Sequence, residues 1–402
     1  MRAAQIRTYH HDTADRPFIV IWEMTQACPL ACRHCRAEAR PSRHPGELTT
    51  AEARDLMAQV AEFGTPPPIF VLTGGDPFQR PDLFDLIRHG TQLGLPVAVS
   101  PSGTPTLTTG SLTSLREAGA RAISLSLDGS TAEVHDRFRG VPGVLRWTLD
   151  AWQAAAELGL KVQINTTVAG HNLTDLADIA GLVHQLGAMS WSVFMLVPTG
   201  RGALLPGLTA QQAEDVLNFV YDAGEFVPAR TTEAHHFRRV VIQREILRRH
   251  GDDHVAVLGL GQLYLRLRQR LGDLGLAQRK ARRPPMNVNA GQGFVFISHL
   301  GTVHPSGFLP LAAGSVRNGR LAGIYRTSPL FTGLRDRSRL AGRCGACEFA
   351  AVCGGSRSRA YATCGDPYAE EPWCSYQPGT FPHQDDLATI GLRPATGSRR
   401  RR

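Results

Sequence analysis

No apolar run in this 402-residue sequence reaches the length of a membrane-spanning helix. The start, MRAAQIRTYHHDTADRPF, lacks the apolar core of a secretion signal. Together the two absences lead to the expectation of a cytoplasmic protein with no membrane partner. Thiols stay reduced in the cytoplasm, so the eight cysteines point to metal rather than to disulfides. Cysteine is absent between the groups at 28–35 and 344–374. Basic and aromatic residues do not interleave along a nucleic-acid motif, although the formal net charge is +9. Nucleic acid is therefore not expected as a partner. The basic excess, part of it in SRRRR (398–402) and RKARRPP (279–285), reads as solvated charge or as attraction for a polycarboxylate substrate. No internal repeat is visible beyond a βα unit.

What is present from residue 17 to about 200 is an alternation of β-branched runs with helical patterns. The candidate strands are FIVIWEM (18–24), PIFVLTG (68–74), PVAVSPS (96–102), AISLSLD (122–128), KVQINTTV (161–168) and SWSVFMLV (190–197). Strands separated by amphipathic helices predict an α/β fold with a parallel sheet. Six units predict a partial (β/α)6 TIM-like barrel over 17–204, after an N-terminal extension at 1–16. Such sheets carry their chemistry at the carboxyl ends of the strands. Residues 205–285 read as a helical bridge or lid, or equally as a surface insertion. From 286 a β-hairpin is expected with HLG as its turn, and 378–402 reads as a flexible basic tail.

The first cysteine group, TQACPLACRHC (25–35), places Cys28, Cys32 and Cys35 within eight positions. Thiolates ligate iron–sulfur clusters, and three on one turn leave the fourth iron of a cubane free for another ligand. Unligated cysteines, or a zinc site completed by His34, are the alternative. TGGDP (73–77) ends the second strand, where by itself it is an ordinary turn. The combination Cys-x3-Cys-x2-Cys after the first strand and Gly-Gly-acid-Pro after the second resembles the radical S-adenosylmethionine (SAM) superfamily. That resemblance implies a [4Fe–4S] cluster on Cys28, Cys32 and Cys35 and SAM bound at the free iron. It further implies that Gly74 and Gly75 approach the methionine amino group and that Asp76 supplies its carboxylate, where relatives often carry Glu. By the same resemblance Ser126, Asp128 and Arg139 border the SAM carboxylate and ribose, and Ser102 stands where relatives often have Asn. Arg139 is otherwise a helix-surface arginine. Asn165 and Leu196 either reach the adenosine or are ordinary strand residues. His34 either lies beside adenine or is structural.

The second group contains Cys344, Cys347, Cys353, Cys364 and Cys374. Cys-x2-Cys-x5-Cys resembles the auxiliary-cluster module called SPASM, or its shorter twitch form, and implies an iron–sulfur auxiliary domain over 286–377. Cys344, Cys347, Cys353 and Cys374 suffice for one fully ligated [4Fe–4S] cluster, the second in the chain. Cys364 either replaces Cys374 or is a free thiol, and a zinc ribbon is the rival content. Ser306 and Ser356 stand where the full two-cluster module has cysteines.

Stretches such as TGGDPFQRPDLFDLI, SLDGSTAEVHDRFRG and CGGSRSRAYA resemble the haem and haem d1 biosynthesis branch. Its members remove tetrapyrrole propionates or convert them to vinyl groups. A carboxylate-bearing substrate is therefore expected, with Arg201, Arg238, Arg239 and Arg317 as candidate anchors. His235 and His236 are either haem ligands or paired surface histidines. Modification of a ribosomally made peptide is the alternative enzyme reading, and an iron–sulfur redox sensor the non-enzyme one. An external donor of flavodoxin or ferredoxin type is expected to supply electrons.

Overall fold

The computed structural model describes residue 6 and residues 11–277 and 282–392. The basic run 398–402, the first part of RKARRPP and most of the N-terminal extension lie outside the described residues. Among the described residues no helix is long and apolar enough to cross a membrane.

The six expected strands form: β1 (Ile19–Glu23), β2 (Ile69–Thr73), β3 (Val97–Val99), β4 (Ala122–Ser126), β5 (Lys161–Val168) and β6 (Ser190–Met195). They pair in parallel in chain order. The crossovers are α1 (Thr50–Ala61), α2 (Leu83–Gln92), α3 (Thr109–Glu117), α4 (Ala132–Arg139) with α5 (Val144–Glu157), and α6 (Leu176–Gln185). Local chemistry starts and stops these helices. Thr49 and Glu52 form a reciprocal capping box on α1, and Gly140 ends α4 in the left-handed conformation. In α2, Leu83, Leu86, Ile87 and Gly90 recur at helical spacing and are all buried, which fixes the face turned to the sheet. Along β4, Ile123 and Leu125 are buried under the helices, while Ser124 and Ser126 take the opposite face.

The parallel sheet is wider than the six expected strands. β7 (Ala229–Thr232) adds beside β6, inside the stretch expected to be helical. β8 (Phe294–Ile297) is the first strand of the expected hairpin and pairs in parallel with β1. β9 (Thr302–His304) and β10 (Gly314–Ser315) continue antiparallel, giving the order β10-β9-β8-β1-β2-β3-β4-β5-β6-β7. The sheet therefore stays open, with β7 and β10 as its edges. β7 escapes a periodicity reading because ARTT is too short to show a two-residue period.

The helical segment holds α7 (Ala210–Ala223), α8 (Phe237–His250), α9 (His254–Leu258) and α10 (Gln262–Asp273). Ten of the fourteen α7 residues are buried, so it is not a surface insertion. α8 buries Arg238, Arg239 and Arg244 among apolar residues. The expected flexible tail also needs correction. Phe381, Leu387 and Leu392 bury against Ile242, Ile246 and Leu247 of α8, so this part of the expected tail is packed onto the body.

Candidate active site and cysteine centres

Cys28, Cys32 and Cys35 sit on the loop that leaves β1, at the carboxyl end of the sheet. Cys28 and Cys32 are 8% exposed. The loop is pinned by backbone bonds that leave no room for side chains. Gly75 N donates to Thr25 O at 2.8 Å and Asp76 N to Ala27 O at 2.7 Å. A Cβ on Gly74 would lie 2.4 Å from Thr25 O, and one on Gly75 2.4 Å from Ala27 O. The close approach these glycines permit is thus to the cysteine loop itself. From a second side, Arg33 N bonds Phe138 O at 2.9 Å, and a Cβ on Gly140 would meet Ala31 O at 2.6 Å. From a third, Arg201 N donates to Cys35 O at 3.0 Å. Glu47 braces the base of the loop, accepting from Thr25 Oγ1 at 2.6 Å and Gln26 N at 3.1 Å. Burial pushes the Cys28 thiol up to about 11, and binding a metal is what draws a thiolate from such a site.

Asp76 is completely buried. Its Oδ1 accepts from Phe78 N and Ser102 N, each at 3.3 Å, while Oδ2 is buried with no partner. Desolvation pushes this carboxyl up to about 6. A buried, unpartnered carboxylate oxygen beside the cysteine loop is suited to a cationic group such as an ammonium. Ser102 Oγ donates to Gly75 O at 2.8 Å and lies 3.4 Å from Cys28 Sγ, tying β3 to the loop.

Arg139 is no free surface arginine. It pairs with the fully buried Asp128 and points an N–H at Cys32 Sγ, 3.7 Å away. Asp128 also accepts from Thr167 N at 2.7 Å. His34 stacks on Phe138, ring centroids 4.2 Å apart, and burial pushes it down to about 3, so it is neutral. Ser126, at the end of β4, is the register partner of Asn165, within β5. Asn165 Oδ1 accepts from Gln163 at 2.6 Å. Leu196 is buried in the core and offers its carbonyl to Arg359 at 3.2 Å.

The second centre lies between α8 and the carboxy-terminal segment. Cys344, Cys347, Cys353 and Cys374 line one pocket with His236, Arg239, Arg343 and Glu371. Cys364 is outside it: exposed at the end of the helix Arg357–Cys364, it donates to Ala360 O at 3.2 Å. Backbone amides already point at two of the four sulfurs, Glu371 N at Cys344 (3.3 Å) and Gly355 N at Cys353 (3.4 Å). Arg357 lies 3.8 Å from Cys344 Sγ and Arg239 lies 4.0 Å from Cys374 Sγ. Among the described residues only His250, His383 and Asp386, at the surface, bring three ligand atoms within 4.8 Å of one another. No three of the four sulfurs form such a group. His236 is buried rather than on the surface, and neither of its ring nitrogens has a partner.

Sequence reasoning gave no role to Glu233, just after β7. It is 5% exposed and has a positive φ of 54°, rare outside glycine. Its carboxylate accepts from Ser306 at 2.8 Å, from Ser358 at 2.9 Å, and from Ser356. Ser306 and Ser356 are two of the positions where the resemblance to a two-cluster module leads one to expect cysteines. They meet on one carboxylate, and nothing there can ligate iron through sulfur. Arg359 holds the Glu233 carbonyl at 2.8 Å while pairing with Glu371 at 2.9 Å, so this cluster joins β7, the hairpin and the second centre.

Residues 22–183 match the family model described as the Radical SAM superfamily. The AdoMet-dependent heme synthase of Oleidesulfovibrio alaskensis is 40% identical, over 91% of this chain and 89% of that protein. The chain belongs to the radical SAM superfamily. The pre-heme d1 synthase of Dinoroseobacter shibae is 31% identical over 95% of this chain and 92% of its own. Among solved structures, Streptococcus suis SuiB bound to precursor peptide SuiA has the same fold, with a TM-score of 0.64 at 15% identity, covering 90% of this chain and 76% of that one. This protein is thus a radical SAM enzyme, working with SAM and a [4Fe–4S] cluster, and the non-catalytic sensor reading falls.

Proposed function

We propose that this enzyme oxidatively decarboxylates or removes propionate side chains of a tetrapyrrole in haem-type biosynthesis. In this reading Cys28, Cys32 and Cys35 hold the SAM-cleaving cluster, and Asp76 Oδ2 receives the SAM ammonium. Bound SAM, on one-electron reduction, supplies a 5′-deoxyadenosyl radical that takes a hydrogen atom from the substrate. Arg139 sits between Asp128 and the cysteine loop, where it also meets the SAM carboxylate. A hydrogen atom lost β to a propionate carboxylate allows the C–C bond to break: carbon dioxide leaves, a vinyl group forms and one electron is released. That electron needs an acceptor, and Cys344, Cys347, Cys353 and Cys374 are the residues suited to holding one as an auxiliary [4Fe–4S] cluster. The relatives named heme synthase and pre-heme d1 synthase support the substrate class.

The observation that carries the reading is Arg201. Arg317 is committed to Glu52 at 2.7 Å, Arg239 to Glu214, and Arg238 to Val352 O at 2.7 Å. Arg201 alone among these four has Nε and a terminal nitrogen both buried without partners, and its backbone N is bonded to the Cys35 carbonyl. Two unpaired guanidinium nitrogens on a residue whose backbone meets the cysteine loop suit a substrate carboxylate. The test is incubation with iron-coproporphyrin, SAM and reduced flavodoxin or dithionite, with mass spectrometry for successive mass losses equal to that of formic acid, the sum of carbon dioxide and two hydrogens. Arg201→Gln is expected to raise KM far more than it lowers kcat. Formation of 5′-deoxyadenosine with the porphyrin untouched would overturn the substrate, and turnover of a precursor peptide instead would establish the alternative.

A further inference from the structure

His236 raises a problem that the iron ligands do not solve. It is 0% exposed, and both ring nitrogens are buried without a hydrogen-bond partner. A buried polar group left unpaired is costly, and native proteins keep few of them. The ring lines the pocket of Cys344, Cys347, Cys353 and Cys374. Its backbone is fixed as the N-cap of α8, with Val240 N bonded to His236 O at 3.1 Å. The four thiols complete the ligand set of a cubane without it. What remains for the imidazole is an N–H aimed at the content of the pocket.

We propose that His236 donates a hydrogen bond to the sulfur of the auxiliary cluster and thereby holds its reduction potential up. The inference rests on the auxiliary-cluster reading above. Hydrogen bonds to sulfur stabilise the more negative, reduced cluster and so raise its potential. The surroundings act in the same direction, since Glu371 N and Gly355 N already donate to cysteine sulfurs. Arg239 Nε, buried without a partner at the same pocket, is a second donor of this kind. His236 is a positioning residue that acts through the cluster. A raised potential suits a group that must accept an electron as carbon dioxide leaves the substrate.

The test uses anaerobically purified holoenzyme. Iron analysis comes first: about four irons per chain with one zinc would remove the auxiliary cluster and overturn the parent reading, an outcome distinct from any change in potential. With about eight irons, the auxiliary cluster is titrated by EPR in wild type and in His236→Phe and His236→Gln. In His236→Phe the reduced-to-oxidised ratio at fixed potential is expected to fall about tenfold, a shift of about 59 mV for one electron. In His236→Gln, which keeps an N–H donor, most of the potential is expected to return. Unchanged potential in His236→Phe with the cluster intact would overturn the proposal. Pulsed EPR of wild-type protein carrying 15N-histidine needs no variant. Weak nitrogen coupling to the reduced auxiliary cluster supports a hydrogen bond, strong coupling would make His236 a ligand, and none would make it filler, both overturning the proposal. Loss of the cluster in His236→Phe alongside strong nitrogen coupling would likewise assign ligation.

Discussion

Gly75→Ala isolates the geometry of the cysteine loop from its chemistry. The new methyl would lie 2.4 Å from Ala27 O, 2.7 Å from Gln26 O and 2.8 Å from the Ala27 carbonyl carbon. An ordinary carbon–oxygen contact is about 3.3 Å, so strand end and loop must separate by about 1 Å. All three neighbours are backbone atoms and cannot rotate away. Gly75 does not have a positive φ, so alanine brings no backbone strain and the effect is steric. Overpacking of this kind costs about 1–3 kcal/mol. The displaced segment carries the bonds Gly75 N to Thr25 O and Asp76 N to Ala27 O, one residue before Cys28. A misplacement of about 1 Å near reacting groups costs on the order of 100-fold in rate. The expected result is a protein that folds with reduced stability and cleaves SAM to 5′-deoxyadenosine about 100-fold more slowly. Thermal denaturation, iron content and 5′-deoxyadenosine formation with dithionite read these three effects. Gly272→Ala is the control: nothing lies within 4 Å of its added methyl, it sits in α10, and alanine there should be neutral or stabilising. If Gly75→Ala keeps its iron and cleaves SAM within about twofold of wild type, the steric reasoning fails.

Asp76 gives a pH signature. Its carboxyl is raised from 3.8 to about 6 by burial, so between these values the folded chain holds a proton that the unfolded chain has lost. Its contribution to stability is present below about pH 4 and disappears as pH rises through about 6, a change of about 3 kcal/mol at most. Without SAM, Asp76→Asn should therefore be more stable than wild type above pH 6 in chemical denaturation while losing SAM cleavage; equal stability across pH 4–8 would contradict the burial argument. Glu233→Gln replaces a carboxylate that satisfies three serine hydroxyls and should cost about 3 kcal/mol, because bonds to a charged group contribute about 1.5–3 kcal/mol each. A loss below about 0.5 kcal/mol in denaturant titration would make the cluster incidental. Cys364→Ser should leave iron content unchanged, whereas Cys374→Ser should lower it by about four per chain; the reverse would exchange the two cysteines.

The parts of the site legible in the sequence are those whose residues lie close together along the chain. Cys28, Cys32 and Cys35 span one turn, and TGGDP ends the neighbouring strand, so spacing and strand order place them side by side. Glu233 had no such signal. Its partners Ser306, Ser356 and Ser358 come from the hairpin and the carboxy-terminal segment, and only the absence of thiols at Ser306 and Ser356 drew attention to those positions. His235 and His236 read as haem ligands or paired surface histidines, and Arg238 and Arg239 as anchors for substrate carboxylates. Arg239 is instead buried in its pair with Glu214, and His236 faces the cysteines. The carboxy-terminal stretch looked flexible from its Pro, Gly and Arg content, and the apolar spacing of Phe381, Leu387 and Leu392 that packs it on α8 was too sparse to outweigh composition.

The two cysteine centres differ in their electrostatics more than in their ligands, and that difference bears on the direction of electron flow. At the first, Arg139, whose guanidinium meets the Cys32 thiol, is neutralised by Asp128 within a buried pair. At the second, Arg337 donates to Gln292 and Arg357 to the carbonyls of Pro367 and Ala369, and among the described residues neither forms an ion pair. Arg357 lies 3.8 Å from Cys344 Sγ. Two guanidinium charges without carboxylate partners, in a buried setting of reduced dielectric, favour the more reduced state of whatever the four thiols hold. On the proposed assignment, the loop at Cys28–Cys35 suits a strongly reducing group that gives an electron to SAM. The chamber at Cys344–Cys374 suits one that takes an electron back.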